Sequence, residues 1–416
     1  MTQPALSYFR KRRIASVIQA VAGTPETVTP ATHGWRIFNG RSGIEIDAVE
    51  DNPDSNFFEG PDFAPANERG FIEGEARLVS PVQPGHATDG VPEVDVALRT
   101  GGLARTLNAA SRLTDYTPVS DEFEIATHQW EQAGLYKQLA DARTMLGDIV
   151  LEIGQRAKIT GLRLQGDVSE FNDTDDLDDI VTSDAVGPVM RADNSRTTIV
   201  IDGGSPLVLW NKLHGLQLNA QMQTEEYTSH KETGFSDRTP QWRIRIAKTD
   251  LGDLNPRTVR QEGSIVEVTT LVWGTDGRYV ELYTRGKLRE MPEEDIDGKM
   301  GFALSGPTRV GPDGIDFRLR FGDRTFHING VVADAPEDVV YDDGAGLSLS
   351  GEYTGPVTWA ISAGALPTGL AINAATGAIT GTPTAAATYN FTVTATDSTV
   401  GTPKVATQAF EVEITA

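Results

Sequence analysis

The stretch Leu366-Pro-Thr-Gly-Leu-Ala-Ile-Asn-Ala-Ala-Thr-Gly-Ala-Ile-Thr-Gly-Thr-Pro383 constrains this chain more than any other. Leu370 and Ile372 alternate with small or polar residues. Asn373 to Gly377 supply turn chemistry, and Ile379 resumes the alternation before Gly381 and Pro383 stop it. Tyr389-Asn-Phe391-Thr-Val393-Thr-Ala395-Thr then repeats apolar-in, polar-out at period two, the pattern of a half-buried antiparallel strand. This region therefore has to fold as packed β-sheets.

The phrase resembles the putative-Ig family of bacterial and phage surface modules. That family's motif reads Leu-Pro-x-Gly-Leu, then Thr-Gly-x-Ile-x-Gly-Thr-Pro, then a Tyr-x-Phe-x-Val-x-Ala-x-Asp strand. Here it is carried by Leu366, Pro367, Gly369, Leu370, Gly377, Ile379, Gly381, Pro383, Tyr389, Phe391 and Asp397. The resemblance covers roughly the last 80 residues, about one Ig-like sandwich. It implies a module of virion or extracellular surfaces with no chemistry of its own.

The chain has 416 residues, enough for two or three domains with real cores. It has no cysteine, so the Ig-like module rests on packing alone, and thiolate zinc sites are excluded. This suits a protein made in a reducing cytoplasm and used outside it. A formal net charge of −23 disfavours nucleic-acid binding by phosphate neutralisation. It keeps a concentrated protein soluble, and it suggests a conduit lined with charge that repels DNA within about one Debye length, roughly 8 Å. No run of eighteen apolar residues marks a membrane span. Arg10–Arg13 and the apolar Ile14–Ala22 are read as a retained N-terminal arm, since Ser16 and Gln19 interrupt the apolar run.

Charge is uneven along the chain. From Val339 to Ala416 the only basic residue is Lys404. This shift places a linker at 333–338 and the Ig-like domain at 339–416. Upstream, the pattern is mostly β, with helical patches expected at Glu93–Asn108 and Glu131–Thr144. Lys158-Ile-Thr-Gly-Leu-Arg-Leu-Gln-Gly166 and Lys299-Met-Gly-Phe-Ala-Leu-Ser-Gly306 share a pattern with one gap. Either two β modules are duplicated, roughly Ala31–Phe171 and Arg196–Phe321, or the strands coincide by chance. The expected organisation is an arm at 1–30, a first β module at 31–180, a second at 181–332, the linker and the Ig-like domain.

This body resembles the major tail tube protein of long-tailed, siphovirus-type bacteriophages. The residues that carry the resemblance are Gly23-Thr-Pro-Glu-Thr-Val-Thr-Pro-Ala31, Ile44-Glu-Ile-Asp-Ala-Val-Glu50 and Tyr116-Thr-Pro-Val-Ser-Asp-Glu-Phe-Glu124, together with the pairing to an Ig-like module. The resemblance implies tail-tube-type β-sandwich or barrel modules with few short helices. It implies a structural virion protein of the tail, made in the host cytoplasm, whose stacked rings conduct DNA without binding it specifically. Its expected partners are further copies of itself and other tail proteins. Two modules per chain would close a ring as a trimer with pseudo-sixfold symmetry, and one module as a hexamer. The Ig-like domain would sit outside, where host surface glycans are candidate partners. The loop around Asn52–Glu68 carries Phe57, Phe58 and Phe63, and Gln223–Arg238 carries Tyr227 and Phe235. These aromatics are the candidate contacts between rings.

Catalytic chemistry is missing. The six histidines are scattered away from metal-ligand spacing, and no nucleophile elbow, phosphate loop or dinucleotide fingerprint occurs. Asp173, Asp175 and Asp176 could ligate calcium, but the stretch lacks the glycine and terminal Glu of an EF-hand. No cofactor is expected. The alternative reading is a surface adhesin or glycan-binding protein with an Ig-like spacer. A hydrolase would need two placed carboxylates, and no motif nominates a pair.

Overall fold

The computed structural model describes residues 12–29, 33–51, 62–79, 91–108, 113–119, 123–132, 135–173, 177, 188–191, 193–210, 213–220, 222–227, 232–248, 255–274, 278–296, 298–324, 326–330, 332–342, 347–351 and 353–416. The protein is mainly β, with multiple sheets. It divides into two compact units, one reaching to Phe321 and one holding Gly322–Ala416.

In the first unit, the chain forms β1 (Arg12–Gln19), β2 (Gly34–Trp35), a long hairpin β3 (Ile37–Asp51) and β4 (Asp62–Arg77), and helix α1 (Asp95–Thr100). Then come β5 (Leu103–Asn108), β6 (Leu113–Pro118), β7 (Ile125–Gln132), β8 (Leu135–Met145), β9 (Asp148–Glu152) and β10 (Lys158–Asn172). The next segment forms β11 (Ser195–Ile201), β12 (Leu207–Trp210), β13 (Leu213–Asn219), the hairpin β14 (Met222–Tyr227) and β15 (Glu232–Arg238), and β16 (Gln241–Ala247). Helix α2 (Pro256–Glu262), β17 (Ile265–Trp273), β18 (Arg278–Lys287), β19 (Glu293–Ile296), β20 (Lys299–Pro307) and β21 (Phe317–Asp323) complete it.

These two runs repeat one topology. In the first, β2-β1-β7-β8 are neighbours and β3-β4-β10-β9 are neighbours. In the second, β12-β11-β17-β18 and β13-β16-β20-β19 stand in the same relation. A helix follows the return arm of the hairpin in both. The two Lys-to-Gly phrases are β10 and β20, each paired antiparallel with that return arm, β4 or β16. Their closing glycines share a physical reason. A Cβ on Gly166 would lie 2.5 Å from the Ala140 carbonyl oxygen on β8, and one on Gly306 would lie 1.8 Å from that of Lys287 on β18. In both runs the outer strand meets the inner one at a residue with no room for a side chain.

The core lies between the layers. Alternation puts Leu216 and Leu218 of β13, Trp242, Ile244 and Ile246 of β16 and Leu304 of β20 inside. Ile199, Val266 and Val268 of the outer layer belong to the same cluster, as does Val259 of α2. Each such side chain contributes about 1.5–3 kcal/mol on burial. Asn255 caps α2, accepting from the backbone N–H groups of Arg257 and Thr258, and Gly263 ends it at φ 67°. Gly101 and Gly102 stop α1 after six residues.

Two expectations differ from the structure. Of Glu93–Asn108 only Asp95–Thr100 is helical, because Gly101 and Gly102 end it, and Leu103–Asn108 is β5. Glu131–Thr144 is not helical; it falls on β7 and β8, because its tertiary pairing with β1 and β10 overrides helix-favouring Ala, Gln and Leu. Residues 12–19 lie in the stretch expected as the N-terminal arm. They form β1, paired along its whole length with β7, with Ile14 and Ala15 buried. Ser16 and Gln19 are buried too, because each has partners. The Trp35 indole donates to Ser16 Oγ at 2.7 Å, and Ser16 Oγ lies 2.6 Å from His128 Nδ1. Gln19 binds Asp141 at 2.5 Å.

The second unit contains β22 (His327–Asn329), β23 (Ala335–Pro336), β24 (Tyr341–Asp342), β25 (Ser348–Ser350), β26 (Thr358–Gly364), β27 (Leu370–Ile372), β28 (Ile379–Gly381), β29 (Ala387–Thr396) and β30 (Val405–Thr415). A sheet ordered β23-β30-β29-β26 and a smaller one ordered β24-β28-β27 enclose Trp359, Ile379, Phe391, Val393 and Val412.

Candidate functional site

Two seams join the repeated runs. In the inner layer, β9 pairs with β13, setting Leu151 opposite Leu216 and Ile149 opposite Leu218, all fully buried. In the outer layer, β21 returns to pair with β6. Leu319 faces Tyr116, and the Tyr116 and Phe321 rings meet edge-on at 5.8 Å. The Tyr116 hydroxyl donates to Asp95 Oδ1 at 2.6 Å, so α1 is tied to this seam. Burial first, and then the Asp95 charge, pushes the phenol well above its ordinary pKa.

The same repeat exposes two matching edges. β19 is the counterpart of β9, and β3 is the counterpart of β13. Among the described residues, β19 pairs with β20 alone and β3 with β4 alone. The internal partnership of β9 and β13 therefore has an unfilled equivalent at each end of the inner layer. Unpaired edges of this kind are templates for another strand.

The face of the inner layer that points away from the core is polar. Arg163 stands opposite Glu73, which also stands opposite Arg41. Arg163 reaches Glu73 at 2.5 Å and Glu45 at 2.6 Å, and Arg41 reaches Glu73 at 2.6 Å. Burial raises the Glu73 pKa, but the hydrogen bonds from Arg41 and Arg163 outweigh it and hold the carboxyl below its usual range. Lys158 meets Glu75 at 3.2 Å. On the second run Glu294 takes both Arg243 and Arg245, the latter at 3.1 Å. Between these groups the face is hydrophilic, with Gln217, Asn219, Gln241 and Ser305 and the carboxylates Asp148 and Glu290 lining an open depression of about 420 Å³.

The aromatic residues expected between rings fall on the two long hairpins. Phe63 lies on β4, and Tyr227 and Phe235 on β14 and β15. Phe57 and Phe58 lie outside the described residues, as do Asp175 and Asp176. Among the described residues, no group of three or more His, Cys, Asp or Glu side chains is placed to hold a metal ion. Among them, too, no helix is long and apolar enough to cross a membrane. Sequence reasoning missed the open edges, because an edge is a property of pairing rather than of composition.

The glycines of the C-terminal motif are explained by geometry. Gly369 (φ 98°) and Gly381 (φ 140°) bring two backbones together: a Cβ on either would lie within about 2 Å of a carbonyl oxygen of the facing strand. Gly377 (φ 78°) packs under the Trp359 ring. Leu370 lies on β27, Ile379 on β28, and Tyr389 and Phe391 on β29, while Leu366 packs against the core. Pro367 and Pro383 accept backbone N–H bonds from Leu370 and Asp338. Asp397, 4% exposed, accepts from the backbone N–H groups of Thr354, Thr399 and Lys404 and from the Thr399 hydroxyl at 2.6 Å. Desolvation opposes its ionisation, but these hydrogen bonds prevail and lower the pKa to about 2.

No curated protein matches the chain. Among solved structures, the chain is similar to the protocadherin gammaB7 EC3-6 cis-dimer at 10% identity, over 65% of this chain and 66% of that one, with a TM-score of 0.18. It is similar to the protocadherin gammaB4 extracellular domain at 11% identity, over 95% of this chain and 64% of that one, with a TM-score of 0.19. Scores this low carry no argument for fold or function. The family model described as the putative Ig domain matches residues 331–415, and with the motif and the two facing sheets this makes the C-terminal unit an Ig-like domain.

Proposed function

We propose that this chain is a structural, non-enzymatic subunit of a long-tailed phage tail tube, in which three copies close a ring and rings stack into a conduit for DNA. The observation that carries the reading is the internal β9–β13 seam and its unfilled equivalents, β19 and β3. A contact between unlike edges is heterologous, and repeated with a closing rotation it makes a ring. Two runs per chain favour three chains and pseudo-sixfold symmetry over six. The reading is further supported by the absence of any catalytic motif in the sequence and by the Ig-like domain carried after the body. Negative-stain electron microscopy of the chain expressed alone tests it. Hollow tubes or stacked rings are expected, with threefold class averages. A uniform monomer at every concentration, also after addition of preformed seeds, overturns it.

A further inference from the structure

The net charge of −23 suggests a carboxylate-coated surface. The outward face of the inner layer is built otherwise. Arg41 and Arg163 share Glu73, and Arg163 also holds Glu45. Arg243 and Arg245 share Glu294, and Lys158 holds Glu75. The partners come from different strands, so the arrangement belongs to the assembled sheet and not to any one segment. The Arg163 guanidinium carbon also lies over the Phe71 ring, 4.4 Å from its centroid, a cation–π contact that adds to its anchoring. The depression on the second run is lined by the amides Gln217, Asn219 and Gln241 and by Ser305, with Arg243 and the carboxylates Asp148 and Glu290 beside them.

An arginine already bonded to a carboxylate offers little to a phosphate. Binding it would break the existing pair, and the counterion release that drives protein–DNA association has been used within the protein. A coat of unpaired carboxylates would instead push a duplex toward the far wall. We propose that this face is a low-adhesion surface for duplex nucleic acid, in which Glu45, Glu73 and Glu294 serve as built-in counter-charges to arginine. Which polyanion passes over it rests on the tube reading; the masking of the arginines does not.

The test uses the full-length chain, with the unassembled fraction isolated by size exclusion so that the face is accessible. Binding of a fluorescent 20-base-pair duplex is followed by anisotropy from 25 to 200 mM salt. The unsubstituted chain is expected not to bind. The triple variant Glu45→Gln, Glu73→Gln, Glu294→Gln is expected to bind, with log K falling against log salt at a slope of about −3.6, near −0.9 for each of the four arginines released, Arg41, Arg163, Arg243 and Arg245. Adding Arg41→Ala, Arg163→Ala, Arg243→Ala and Arg245→Ala to that variant should abolish the gain. A charge-matched control, Glu262→Gln, Glu411→Gln, Glu413→Gln, changes exposed carboxylates on α2 and β30 and should leave the chain non-binding. Equal gains in control and triple variant would make the effect one of net charge and overturn the proposal. So would binding by the unsubstituted chain, or a folded triple variant that does not bind. For a triple variant that does not fold, Glu294→Gln alone is the substitute, with a slope of about −1 to −2 expected and its failure to bind counting against the proposal. Ring formation is read separately by microscopy, so the tube reading and this one can fail independently.

Discussion

Arg320 and Asp115 stand directly opposite one another on β21 and β6, joined by two parallel hydrogen bonds of 2.6 and 2.8 Å across 205 residues of sequence. The Asp115 hydrogen bonds, working against burial, raise the guanidinium pKa. The pair closes the outer-layer seam beside the buried Tyr116 and Phe321 rings.

Asp115→Ala should therefore destabilise the first unit by about 1–2 kcal/mol, the range for a partly buried bidentate charged pair. Urea denaturation checks this. A change within 0.3 kcal/mol would show that the rings alone hold the seam.

The exposed edge of β19 gives a second expectation. Ala303 donates its N–H to the Pro292 carbonyl, so by antiparallel alternation the backbone of Glu294 points toward β20 and that of Glu293 points away. Glu293→Pro removes an outward donor and leaves the internal ladder intact. Assembly should be lost while the melting temperature of the unassembled chain shifts by no more than a few degrees. Tubes of normal length from this variant would show that β19 is not a joint.

His128 sets a pH dependence. It is wholly buried, and desolvation lowers its pKa from 6.5 to about 3. Between those values the unfolded chain takes up a proton that the folded chain refuses, so stability falls as pH falls. The loss is at most about 1.4 kcal/mol per pH unit. On going from pH 7 to pH 4.5, His128→Gln should lose about 2–3 kcal/mol less than the unsubstituted chain. Parallel losses would mean that the imidazole titrates as if exposed.

Truncation separates the Ig-like domain from assembly. Ile328, Val332 and Ala335 belong to its core, so a cut after Asp338 leaves apolar side chains without their partners. Ending the chain after Asp323 should give soluble protein that still forms tubes, whereas ending it after Asp338 should raise aggregation in light scattering. Loss of assembly with the shorter chain would make the Ig-like domain part of the joint.

The C-terminal domain was legible in the sequence because its turns demand glycine at positive φ and its strands alternate without interruption. The Lys158–Gly166 and Lys299–Gly306 phrases stood out because both strands need a glycine where an outer strand crosses. Elsewhere the signal was non-local. Ser16 and Gln19 read as interruptions of an apolar run, yet each is buried against partners far away, as Gln19 is against Asp141. The Glu131–Thr144 stretch has helix-forming residues but is claimed by strands on both sides. The counter-charge arrangement was invisible, since Arg163 and Glu45 are 118 residues apart and only the sheet register brings them together. Net charge, a sum over the chain, says nothing about which carboxylates are matched to arginines.

The seam between β9 and β13 has a kinetic consequence. A joint held within one polypeptide forms at an effective concentration set by the connecting segment, on the order of millimolar for short flexible tethers, however dilute the chain is in the cell. The strands that make it need little affinity of their own. The matching joint between separate chains has no such help, so it alone decides the concentration at which copies begin to associate. One covalent link thus lets the first run, which alone carries β5 and β6, diverge from the second while the pair stays in step.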